Sequence, residues 1–70
     1  MADILSPMEG KVWKIIVSEG SKVQIDDEVI ILEAMKMETP IYSPVSGIIA
    51  KIKVKEGDAV TEDQLLVVIE

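Results

Sequence analysis

The chain contains no cysteine, no histidine, no arginine and no phenylalanine, and Trp13 and Tyr42 are its only aromatic residues. Each absence removes something. Without cysteine there is no disulfide staple, and without cysteine or histidine there is no ordinary metal-ligand cluster. The usual general base at neutral pH, the usual thiol nucleophile and the usual bidentate anion clamp are missing too. Any catalysis would rest on lysines, carboxylates and hydroxyls. No apolar run approaches the roughly 18 residues of a membrane-crossing helix. The N-terminus lacks a basic region followed by an apolar stretch, so no signal peptide is expected and a cytoplasmic location is the default.

What remains is 70 residues, one domain (1–70), with 49% hydrophobic content and a net charge of −6. A chain this size buries only roughly 60% of its unfolded surface, so it depends on dense packing of Val, Ile and Leu, which favour strands. The negative charge argues against nucleic acid or anionic membrane as a partner. Lys51, Lys53 and Lys55 alternate, as expected of a solvated strand face.

The chain is one motif written twice. Shifted by 37 residues, residues 4–33 lie over 41–70 without a gap, and 12 of the 30 pairs are identical. The identities include Ser6/Ser43, Pro7/Pro44, Gly10/Gly47, Glu19/Glu56, Gly20/Gly57 and Asp26/Asp63. Glycine and proline mark backbone conformations, so their pairing signals repeated structure. Turn signals recur every 8 to 12 residues, as in sandwiches and barrels. Ile48, Ala50, Ile52 and Val54 alternate with lysines, a period of two that predicts a half-buried strand. By the repeat, Trp13, Ile15 and Val17 point inward with Ala50, Ile52 and Val54. Ile30, Leu32, Val67 and Ile69 join that inward set. The predicted fold is all-β: two four-stranded antiparallel sheets packed as a flattened sandwich with pseudo-twofold symmetry.

Residues 34–40 have no counterpart in the repeat and form a hairpin between the copies, with Lys36 at or beside its tip. The same symmetry makes the hairpin equivalent to the gap between residues 70 and 4, so the chain ends should lie together, away from Lys36. A lone lysine in a turn is ordinarily just solvated. Its neighbours Met35 and Met37 are unusual at a tip, because they would leave flexible apolar groups in water. They either form an adaptable recognition surface or tuck back onto the sheet edge.

The run Glu33-Ala34-Met35-Lys36-Met37 resembles the attachment motif of the biotinyl/lipoyl attachment domain family. The likeness extends through Ser6-Pro7-Met8-x-Gly10, Glu19-Gly20, Ser46-Gly47 and Glu56-Gly57-Asp58 to Leu65–Glu70. It implies a barrel-sandwich hybrid fold and a non-catalytic biotin carboxyl carrier domain. In such a domain Lys36 holds covalent biotin, and Met35, Met37, Ala34 and Glu33 are read by the ligase. The implied partners are a biotin protein ligase, a biotin carboxylase that charges the cofactor, and a carboxyltransferase that unloads it, with the isolated domain monomeric. Lipoyl carriers share the fold but typically have Asp-Lys-Ala where this chain has Met35-Lys36-Met37, so the methionines favour biotin. Two further readings carry less weight: a plain all-β interaction module, and a carboxylate enzyme using Glu33 and Glu38 across the hairpin. The chain also lacks the "thumb" insert of many acetyl-CoA carboxylase carriers. It therefore looks more like the carriers of pyruvate carboxylase, transcarboxylases, decarboxylases or free-standing attachment proteins.

Overall fold

The computed structural model describes residues 2–70, which form eight strands and no helix. In chain order they are β1 (Ala2–Leu5), β2 (Gly10–Ile15), β3 (Lys22–Val23), β4 (Glu28–Ala34), β5 (Met37–Tyr42), β6 (Gly47–Ile52), β7 (Ala59–Val60) and β8 (Leu65–Ile69). They pair antiparallel into two four-stranded sheets, β1-β8-β6-β3 and β5-β4-β2-β7. The 37-residue shift carries β1 to β4 onto β5 to β8, and so carries one sheet onto the other. Each sheet takes two strands from each copy.

The core consists almost entirely of branched aliphatic side chains: Ile4, Val12, Val23, Val29, Ile30, Leu32, Ile41, Ile49, Val54, Val60, Leu66, Val67 and Ile69. Two of the predicted inward residues do not belong to it. Trp13 is 47% exposed, whereas Val12 beside it is 1% exposed. Ala50 is half-buried, and Ile49 takes the fully buried place. The cause is a β-bulge in each copy: the β2–β4 register skips between Val12 and Lys14, and the β6–β8 register skips between Ile49 and Lys51. The extra residue shifts the alternation by one, so a period of two read backwards from Ile15 or Ile52 lands on the wrong face. Beyond the bulge the predicted phase holds. Ile15, Val17 and Ile52 pack against the core, and Val54 is buried within it.

A bulge leaves an amide without its ladder partner. Here the two copies cap each other: the Ile15 amide donates to Glu56 Oε2 (3.0 Å), and the Ile52 amide donates to Glu19 Oε2 (3.1 Å). The two buried polar side chains are equally reciprocal. Ser6 Oγ donates to the Met8 carbonyl and Ser43 Oγ to the Val45 carbonyl, both at 2.6 Å. The carbonyls of Ser6 and Ser43 accept the amides of Asp63 and Asp26. Those aspartates sit at φ 66° and 71°, in the left-handed region that Asp tolerates better than most residues.

Ala2 pairs with Ile69, so the ends of the described chain are adjacent in the first sheet, whereas the turn between β4 and β5 belongs to the second. The edge strands β1 and β5 face one another across a cleft of about 350 Å³. Its lining pairs Ile4 with Ile41 and Pro7 with Pro44, and Pro40 joins them. Placing all three prolines of the chain along this opening hinders further strands from pairing with the sheet edges.

The bulge predicts a contrast. Ile49→Ala should cost about 2–5 kcal/mol, from lost transfer energy plus a cavity, while Trp13→Ala should cost clearly less despite removing a larger side chain. Urea unfolding of the two variants checks this; a larger loss at Trp13 would contradict the assignment of faces.

Candidate functional site

Strands β4 and β5 are paired up to Glu33 opposite Glu38 and Ala34 opposite Met37, which leaves Met35 and Lys36 as the entire loop. Both have positive φ, 53° and 63°. Two consecutive left-handed residues mark a type I′ hairpin turn, the form whose twist matches the strands it joins. That turn ordinarily uses Asn-Gly or Gly-Gly. An L-residue with a Cβ pays roughly 1–2 kcal/mol there, so this sequence holds its turn in spite of local preference. Six paired positions along β4 and β5 impose it.

The geometry resolves the question of the methionines. Met35 is 94% exposed and Met37 is 68% exposed, so neither tucks back onto the sheet. Lys36 stands exposed between them at the outermost point of the hairpin. Among the predicted site residues, Met35, Lys36 and Met37 thus form one projecting group. Ala34 lies half-buried at its base, and Glu33 is exposed one residue further back.

Two features of the site go beyond the sequence reading, which pairs Glu33 with Glu38 across the hairpin but gives no role to Gly10 or Lys11. The first is Gly10, which supports the hairpin base. A Cβ on this residue would lie 2.8 Å from the Glu33 carbonyl oxygen and 3.3 Å from Ala34 Cβ. Its counterpart Gly47 is crowded in the same way by the carbonyl oxygen of Glu70. The matched glycine pair was the available signal. The second is the row Lys11, Glu33, Glu38, in which each residue lies directly opposite the next. Two carboxylates facing one another repel. Lys11 offsets that on one side, and Glu38 remains on the edge strand as an exposed anion.

Chemically, the tip offers one primary amine on a long side chain, carried by a paired hairpin and bracketed by two apolar thioethers. The cleft between β1 and β5 is lined by other residues, and the carboxylates nearest the tip in sequence are Glu33 and Glu38.

The chain matches a family profile and several known proteins. The profile of a family described as biotin-requiring enzymes matches residues 2–69. The chain is 50% identical over 38 residues to the biotin-dependent acyl-coenzyme A carboxylase alpha3 subunit of Mycobacterium leprae, an alignment spanning 54% of this chain and 6% of that one. It is 51% identical over 37 residues to the methylmalonyl-CoA carboxyltransferase 1.3S subunit of Propionibacterium freudenreichii subsp. shermanii, covering 53% of this chain and 30% of the subunit. A crystal structure of urea carboxylase from Kluyveromyces lactis superposes with a TM-score of 0.93 at 38% identity, over 99% of this chain and 6% of that one. In each case the match occupies only a minor part of the longer relative.

The turn geometry makes a prediction of its own. Met35→Gly should raise stability by about 1 kcal/mol, because it relieves a left-handed residue and gives up a side chain that packs on almost nothing. A rise in the urea midpoint checks it, and a fall would contradict the positive φ at this position.

Proposed function

The chain belongs to the family of biotin-requiring enzymes, and on that premise we propose that it is a biotin carboxyl carrier domain whose residues 1–70 form the carrier unit and whose Lys36 receives the cofactor. The observation that carries this reading is the exposed lysine held between two exposed methionines on a strained two-residue turn. The site fits the group: the link needed is an amide, and Lys36 supplies a primary amine at the least obstructed place in the fold. Once linked, biotin supplies a ureido nitrogen that takes up and releases a carboxyl group.

The chain's own contribution is to present and position. A charged ammonium has no lone pair, so a biotin protein ligase must remove a proton from Nζ before the amine can attack the activated carboxyl group. Met35 and Met37 give that ligase two apolar contacts flanking the amine, and Glu33 gives it an anion. The stiff hairpin sets the depth to which Nζ reaches into a partner's site. In this reading the domain performs no bond chemistry itself. It serves a biotin carboxylase and a carboxyltransferase in turn, and its attachment to them raises the local concentration of the carried group. Biotin is favoured over lipoate by the methionine flanks, and the carboxylase and carboxyltransferase relatives support the same choice.

Intact mass after incubation with ligase, ATP and biotin tests the proposal. The wild-type chain should gain one biotin. Lys36→Arg should gain none, because a guanidinium stays charged and cannot accept the acyl group. Exchanging Lys36 with Met37 keeps the composition but moves the amine from the turn into β5; labelling should fall steeply while the urea midpoint barely changes. Biotin on the Lys36→Arg chain would overturn the assignment of the site.

A further inference from the structure

Among the described residues Met35 and Met37 are the most exposed of the large apolar side chains, at 94% and 68%, and both flank the amine. Met8, by contrast, is partly buried and packs against the core. A thioether reacts with peroxides according to its access to solvent. The sulfur attacks the O–O bond and keeps one oxygen, and the other leaves as water once protonated. Sulfur is oxidised by two electrons to a sulfoxide, and the peroxide is reduced. No covalent bond of the chain breaks.

We propose that Met35 and Met37 are a reversible oxidation site that controls loading of Lys36: their sulfoxides close the amine to the ligase, and reduction of the sulfoxides reopens it. The inference rests on the carrier reading and adds a regulatory input to the same tip. Oxidation turns a flexible apolar group into a polar, chiral one. At these two positions the change falls on the surface that a partner touches and leaves the core alone. The turn is set by the pairing of β4 with β5, so a modified tip keeps its shape while its chemical face is inverted. Methionine at both flanks also places the two reporters within one residue of the group they control.

The test uses the whole chain and hydrogen peroxide. Peptide mapping after limited treatment should find oxygen on Met35 and Met37 before Met8. The ligase should then label the oxidised chain roughly tenfold or more slowly than the untreated chain, the scale expected when an apolar contact in a recognition pocket is lost. The urea midpoint should be unchanged. Treatment with a methionine sulfoxide reductase should restore the rate. The variant Met35→Leu with Met37→Leu should label at the same rate before and after peroxide. Should that variant label too slowly to compare, reductase repair decides: recovery supports the inference, and failure to recover overturns it. An untreated chain that takes no biotin would overturn the carrier reading and this inference with it. An oxidised chain labelled at the full rate would overturn this inference alone.

Discussion

Neither copy of the repeat can close a sheet by itself. The sheet β5-β4-β2-β7 draws β4 and β2 from the first copy and β5 and β7 from the second, and the other sheet reverses the arrangement. Everything else depends on this exchange. The bulge after Val12 is tolerable because a glutamate from the second copy caps the freed Ile15 amide, and the equivalent bulge after Ile49 is capped from the first copy by Glu19. The core is shared in the same way, with Val12 and Ile49, or Leu32 and Ile69, filling matched places. A chain with no disulfide and few aromatic residues thus gains a single interlocked core in which half a domain has nothing to pack against. Such a structure should fold and unfold as one unit.

That interlocking is also what makes the tip usable. A type I′ turn built from Met35 and Lys36 works against the intrinsic preference of both residues. It persists because β4 and β5 are paired along their length and Gly10 lets the neighbouring backbone approach the hairpin base closely. Stability generated in the core is therefore spent at a site that has none of its own. The result is an exposed amine on a turn whose backbone conformation the flanking pairs define, between two exposed thioethers. Strained, over-determined backbone of this kind concentrates where function demands a fixed geometry.

Much of this was legible in the sequence, for identifiable reasons. The gapless repeat foretold the pseudo-twofold and the equivalence of the two sheets, because glycines, prolines and turn acids record backbone conformation. The hairpin followed from what the repeat left over, and Lys36 from its place within it. The faces of β2 and β6 were legible only in part. A bulge adds a residue without any compositional mark, so strict alternation points Trp13 and Ala50 inward, whereas Val12 and Ile49 hold those places. Equally hidden were the buried roles of Ser6 and Ser43 and the crossed carboxylates of Glu19 and Glu56. The serine hydroxyls bond the carbonyl two residues on, while the serine carbonyls and the two glutamates bond amides distant in sequence, and only their identity across the copies hints that they matter. The exposure of Met35 and Met37 could not be read at all, because an apolar residue beside a sheet edge is equally able to fold back.

On the proposed carrier reading, a ligase would recognise Lys36 as the fold holds it, and the local run of residues would not suffice. The most direct measurement compares kcat/KM for biotinylation of the whole chain with that of a linear peptide comprising residues 29–41, under the same ligase, ATP and biotin. The peptide keeps every residue of the tip and loses the pairing, the glycine beneath it and the left-handed turn. The peptide should be labelled roughly a hundredfold more slowly or worse, the scale of loss when a reacting group is no longer positioned. Equal values for peptide and domain would contradict it, and would mean that the fold contributes nothing to presentation of Lys36.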